Sequence, residues 1–208
     1  WVSQASFSPP GLSIAVAKDR SVESLLQIGD SLIENKKFFI FLNKNLKKIL
    51  SLSSPFIEKA IYESCKIKKK IVEKDEKETA LRKVLNFGHT FAHAYEAGLG
   101  YSHKLNHGEA VILGMKTALS FSFKENMLSK SEYNLIINHI DNSGLPSSIK
   151  KYFSIKDLNK ILSFMIKDKK NNSKKINLVL LKKIGKPIFN KQYSKKKLNL
   201  FLKNFLTN

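Results

Sequence analysis

In the segment SSPFIEKAIYESCKIKKKIVEKDEKE, apolar residues return at Phe56, Ile57, Ala60, Ile61, Ile67, Ile71 and Val72, with lysine and glutamate between them. That spacing follows the turn of an α-helix and gathers the apolar side chains on one stripe. It predicts one long amphipathic helix, with Ser54 as N-cap and Pro55 in the first turn, where a missing N–H costs nothing. A chain built from such stripes has to bury them against one another. The same periodicity predicts helices from about Leu81 to Ala97, stopped by Gly98 and Gly100, and from His107 through EAVILGMKTALSFSF. Further helices are predicted over Ser131–Asn142, over Ile155–Lys167, opened by a Ser154/Asp157 capping box, and over Ser194–Leu206. Only INLVLLKKIGKPIFN departs from the pattern: two β-rich runs flank Lys182–Gly185, as in a hairpin or a return strand. The predicted fold class is mainly α, multi-helical, with one small β-hairpin or strand pair, and no internal repeat is visible.

Two hundred and eight residues with 42% hydrophobic content suffice for a sizeable core. No apolar run approaches the roughly 18 residues that span a bilayer, and GLSIAVA is too short and lacks the basic flank of a signal peptide. Cys65 is the single cysteine, so no internal disulfide forms; a structural thiol in a reducing cytoplasm is expected. The formal charge of +20 raises nucleic acid as a partner, yet only Arg20 and Arg82 are arginine, the residue whose planar fork reads phosphates and base edges. The lysines, in KIKKK, KDKKNNSKK and SKKKL, read as a solvated surface. Neither a nucleic-acid nor a membrane partner is expected, while a field of this sign draws in a small anionic substrate.

Four of the five histidines fall in LNFGHTFAHAYEAGLGYSHKLNHGEAV. His89 and His93 are four apart and Glu96 three further on, so all three share one helix face. His107 opens the next helix, where the macrodipole disfavours imidazolium and is expected to keep the ring neutral, the form that binds a metal. The turn AGLGYSHKLN is long enough to bring the two helices together. Taken alone, this spacing admits either a metal site or a set of capping and interhelix hydrogen-bonding histidines.

LRKVLNFGHTFAHAYE followed by HGEAVILGM resembles the signature of the 3-dehydroquinate synthase family, sugar-phosphate cyclases that form the first ring of the shikimate pathway. KKIVEKDEKETALR upstream and MIKDKKNNSKKINLVLLKKIGKP downstream extend the resemblance from about Ser31 to the C-terminus. Residues 1–30 do not match, and residues 31–208 correspond to the family's C-terminal, metal-binding helical domain. The resemblance implies that His89 and His107 ligate zinc (or cobalt). It implies that Arg82, Asn86 and His93 contact substrate, joined by Lys169, with Lys170 as the alternative. The family's substrate is a seven-carbon keto-acid phosphate (DAHP), whose carboxylate and phosphate call for fixed cations. In the family, tightly held NAD+ takes a hydride, phosphate leaves by elimination, and the hydride returns before the ring closes to 3-dehydroquinate. His93 would carry a proton or contact the phosphate. Glu96 and Glu109 are expected to orient ligands or cap helix ends. His103 and His139 are expected at the surface, without a role.

The resemblance also sets limits. The family carries most of its NAD+ site in an N-terminal nucleotide-binding half, and Gly11, Gly29, Gly88, Gly98 and Gly100 form no dinucleotide fingerprint. The chain is therefore expected to correspond to the C-terminal half, to be inactive alone, and to form a homodimer in the longer protein. The family's third metal ligand, a glutamate, aligns with Leu26, and a lysine aligns with Gly29; Glu23 is the nearest carboxylate. Other sugar-phosphate cyclases and glycerol dehydrogenase-like metalloenzymes share the architecture, but the valiolone-forming cyclases lack a counterpart of His93. Outside that class, a lysine-rich helical RNA- or membrane-binding module and a non-catalytic relic are the alternatives.

Overall fold

The computed structural model describes residues 28–167 and 175–207. A helical segment at residues 28–34 leads into α1 (Lys36–Leu50), where the Asn35 side chain accepts the Phe38 N–H and so satisfies one of the orphan donors of the first turn. Periodicity does not reveal α1. The run FFIFL at its start is uniformly apolar and reads equally as a strand, yet Phe38, Phe39 and Leu42 face the core while Ile40 is half exposed.

The predicted long helix is α2 (Phe56–Lys74), which buries Ala60, Ile67 and Ile71. Ser54 does not cap it. Pro55 holds the cap position, and the Phe56 and Ile57 amides are met by the Ser53 carbonyl, so backbone replaces the expected hydroxyl. The helix also ends earlier than its charged tail suggests, at Asp75, whose carboxylate captures the amides that follow. Cys65 lies exposed on this helix.

The helix predicted from Leu81 to Ala97 is broken in two: a 3-10 segment, Leu81–Asn86, and α3 (His89–Gly98). The break is at Gly88, whose φ of 83° turns the chain where a side chain would be strained. α4 (His107–Lys124) starts and ends as predicted and is apolar almost all round, as a helix at the centre of a core has to be. α5 (Lys130–Asp141) and α6 (Leu158–Lys167) follow, α6 preceded by a 3-10 turn carrying the Ser154/Asp157 capping box. Strands β1 (Lys175–Lys183) and β2 (Lys186–Ser194) form an antiparallel hairpin through Ile184–Gly185, and α7 (Lys195–Thr207) closes the described chain.

α3 and α4 approach until their backbones touch. A Cβ on Gly114 would stand 2.2 Å from the Gly88 carbonyl oxygen, and one on Gly88 would stand 2.6 Å from the Met115 nitrogen. Two glycines thus let the helices meet at this point. Above the contact, the Tyr95 and Thr117 hydroxyls hydrogen-bond at 2.8 Å inside the core. On its other side α4 holds the hairpin: the Ser122 hydroxyl accepts the Leu181 N–H at 3.1 Å. The Gly185 N–H in turn donates to the Leu32 carbonyl at 2.8 Å. Among the described residues no helix is long and apolar enough to cross a membrane.

Candidate metal centre

His89 is the first residue of α3, placed there by the Gly88 turn, and His107 is the first residue of α4. The glycine contact joins the two helices close to both. His89 and His107 ring centroids are 5.9 Å apart, His89 and His93 are 5.8 Å apart, and His93 and His107 are 6.3 Å apart. Two imidazoles bound at about 2.0–2.1 Å to one tetrahedral ion hold their centroids roughly 5 Å apart, so the His89–His107 spacing is about 1 Å wider than a shared ion would require.

Each of these two rings is oriented through its Nδ1. His89 Nδ1 lies 3.3 Å from the Phe87 carbonyl oxygen and His107 Nδ1 lies 3.0 Å from Glu96 Oε1. A histidine that donates Nδ1–H to an oxygen coordinates through Nε2, and the oxygen raises the basicity of the ligand. The donor set therefore fits a divalent ion of borderline softness such as zinc. Among the described residues no group of three or more His, Cys, Asp and Glu is arranged to hold a metal. Two histidines converge. Leu26 and Glu23, the positions that bear on a third ligand, lie outside the described residues.

At His107 a neighbouring carboxylate opposes the helix dipole. The ring's hydrogen bond to Glu96, joined by that carboxylate's charge, raises its pKa above the ordinary histidine value despite partial burial. A full charge at 3.0 Å outweighs the fractional charge of a helix end. Glu109 takes the other role anticipated for a carboxylate here: it accepts the Asn106 N–H at 2.8 Å and caps α4.

Arg82 and Asn86 lie on the 3-10 segment that runs into α3. Arg82 Nη1 donates to the Glu76 carbonyl at 2.9 Å, and Asn86 Nδ2 donates to Glu78 Oε1 at 2.9 Å. Lys169 and Lys170 fall outside the described residues. The strand after them is tied to the same helix end, since the Thr90 hydroxyl donates to the Asn177 carbonyl at 3.3 Å. His103 lies in an exposed turn, as expected. His139 does not: it is 2% exposed, packs edge-on to Phe39, and pairs through Nδ1 with Asn43 Oδ1 at 3.1 Å. Sequence reasoning gave Glu78 and Asp75 no part here; their signal is the acidic spacing in KDEKET, which periodicity reads as a helix tail.

The fold is shared with solved synthases. The chain superposes on 2-epi-5-epi-valiolone synthase from Streptomyces hygroscopicus, a structure with NAD+ and Zn2+ bound, with a TM-score of 0.76 at 16% identity, covering 91% of this chain and 51% of that one. It matches 2-deoxy-scyllo-inosose synthase, complexed with carbaglucose-6-phosphate, NAD+ and Co2+, with a TM-score of 0.75 at 20% identity, covering 90% and 53%. Within that fold the sequence is specific: residues 28–171 match the model of the 3-dehydroquinate synthase C-terminal domain, and the chain belongs to that family. It is 64% identical over 177 residues to the 3-dehydroquinate synthase of Pelagibacter ubique, covering 85% of this chain and 48% of that protein. It is 40% identical over 172 residues to that of Endomicrobium trichonymphae, covering 82% and 45%. The chain spans about half the length of the curated relatives it matches.

Proposed function

We propose that this chain is the metal- and substrate-binding part of a cytoplasmic 3-dehydroquinate synthase, acting on a seven-carbon keto-acid phosphate with release of phosphate, and that it does not turn over alone. The observation that carries the reading is the approach of His89 and His107 at the meeting of α3 and α4, oriented by Phe87 and Glu96, with His93 beside them.

In this reading His89 and His107 hold a zinc or cobalt ion, which supplies Lewis-acid polarisation of the substrate hydroxyl to be oxidised. Arg82 offers a planar fork of donors to a carboxylate or phosphate, and Lys169, or Lys170, adds a second cation. Asn86, oriented by Glu78, presents its amide to a substrate oxygen. His93 stands about one ring-width from both metal-binding histidines and can hold or move a proton at the leaving phosphate. NAD+ is bound mainly by a nucleotide-binding half beyond these residues, so hydride transfer needs both parts in register. A homodimer of the longer protein and the absence of nucleic-acid and membrane partners belong to the same proposal.

Zinc calorimetry tests it. His89→Ala and His107→Ala should each abolish specific binding, His93→Ala should leave most of it, and the purified chain with zinc, NAD+ and the keto-acid phosphate should give no 3-dehydroquinate. Unchanged zinc binding in both ligand variants, or measurable turnover by the chain alone, would refute the reading.

A further inference from the structure

Asp75 ends α2, and its carboxylate is the hub of the turn leading to the 3-10 segment. Oδ1 accepts the Thr79 N–H at 2.9 Å and the Thr79 hydroxyl at 3.0 Å; Oδ2 accepts the N–H of Ala80 and the N–H of Arg82, each at 2.8 Å. The Arg82 bond, with those from Ala80 and Thr79, holds the buried carboxyl down at about 2, which favours the anion that accepts all four bonds. The same turn carries Glu78, in the left-handed region with φ of 53°, and Glu78 orients Asn86.

Reversing a chain after a helix takes one side-chain oxygen on one amide. Here four donors are spent on a single carboxylate, and they extend beyond the turn to the backbone of Arg82. We propose that Asp75 is a positioning residue for the anionic end of the substrate, its carboxylate setting the turn from which Arg82 and, through Glu78, Asn86 are presented. This rests on the assignment of Arg82 and Asn86 to substrate made above. An arginine whose backbone is held loses less freedom on closing around a phosphate than one on a loose turn, so anion affinity is the quantity the clamp governs.

Arg20 and Arg82 are the only arginines in the chain, which makes the test direct. In an Arg20→Lys background, the zinc-loaded, isotope-labelled chain is titrated with inorganic phosphate while the Arg82 Nε–H resonance is followed by NMR. A saturable shift is expected. Asp75→Asn, which replaces one acceptor by a donor facing amide N–H groups, should weaken phosphate binding at that signal by about five-fold or more, with zinc affinity changed by less than about two-fold. A merely structural brace would move zinc affinity and melting temperature together and leave no selective loss. Thr79→Val removes only the hydroxyl bond to Oδ1 and should show a smaller selective loss; it decides the matter if Asp75→Asn does not fold. A responding Arg82 signal with unchanged phosphate affinity in the folded variants sinks the clamp alone. An Arg82 signal that ignores phosphate in the parent sinks the substrate role of Arg82 and the clamp with it.

Discussion

Gly114→Ala is the sharpest perturbation the fold offers, because two opposite effects meet there. An alanine inside a helix is favoured over glycine by about 1 kcal/mol. Its Cβ, however, would stand 2.2 Å from the Gly88 carbonyl oxygen and 2.9 Å from the Ala92 nitrogen, where real Cβ atoms do not come within 3.0 Å. The helices would have to part by about 0.8 Å or more, and both obstructing atoms are backbone, so no rotamer change relieves the clash. Overpacking of this kind costs about 1–3 kcal/mol, and a backbone obstacle puts it at the upper end. The net loss is then about 2 kcal/mol, a fall of roughly 4–8 °C in melting temperature for a chain of this size. The same separation pulls His107 from His89, whose rings are already 5.9 Å apart, so zinc affinity should fall by about ten-fold or more. Thermal denaturation and calorimetric zinc titration read the two effects. Gly100→Ala is the control: nothing lies within 4 Å of a Cβ there, and its φ of 68° brings only local strain, so zinc affinity should hold. A Gly114→Ala chain that melts higher and binds zinc as well as the parent would refute the close-contact argument.

Glu96→Gln keeps the size of the group that orients His107 but removes its charge; zinc affinity should drop by about ten-fold with little change in unfolding free energy, read by calorimetry and urea titration. His139 is held at about 4 by burial, so the folded state binds fewer protons than the unfolded chain between that value and the ordinary 6.5. Its contribution is complete above 6.5 and is lost as pH falls through 4, an effect of up to about 3 kcal/mol that urea titrations at pH 7 and pH 4.5 should reveal and His139→Gln should flatten. Leu26→Glu should strengthen zinc binding if residues 21–30 form a helix, with Leu26→Gln doing so much less. An unchanged affinity for Leu26→Glu beside a large loss for Glu23→Gln would make Glu23 the ligand.

Apart from the segment 28–34 and α1, the helices and the hairpin were legible because their signals are local. The four-residue step from His89 to His93, the start of a helix at His107 and the Ser154/Asp157 box can each be read from a window shorter than a helix. What escaped is long-range. NFGH has helical periodicity on both sides, and nothing near Gly88 says that Gly114 will press against it and break the helix there. His139 looks like a surface histidine until Phe39 and Asn43, from α1, close over it. Glu96 and His107 are eleven positions apart, and only the packed corner makes them a pair that reverses the expected effect of the helix dipole. Ser54 carries a genuine capping preference and still loses to the Ser53 carbonyl, since either acceptor satisfies the first amides.

The bond from Gly185 to the Leu32 carbonyl joins opposite ends of the described chain. Contacts of such sequence separation form late, because a long loop has to be closed before they give anything back. The histidine corner is the reverse case: α3 and α4 are neighbours joined by a short connection, and they can dock once Lys124 has left the exit tunnel. On the ribosome, then, the two histidines can meet well before the hairpin exists. The segment 28–34, although synthesised before either helix, has to wait for the hairpin before its Leu32 carbonyl is met.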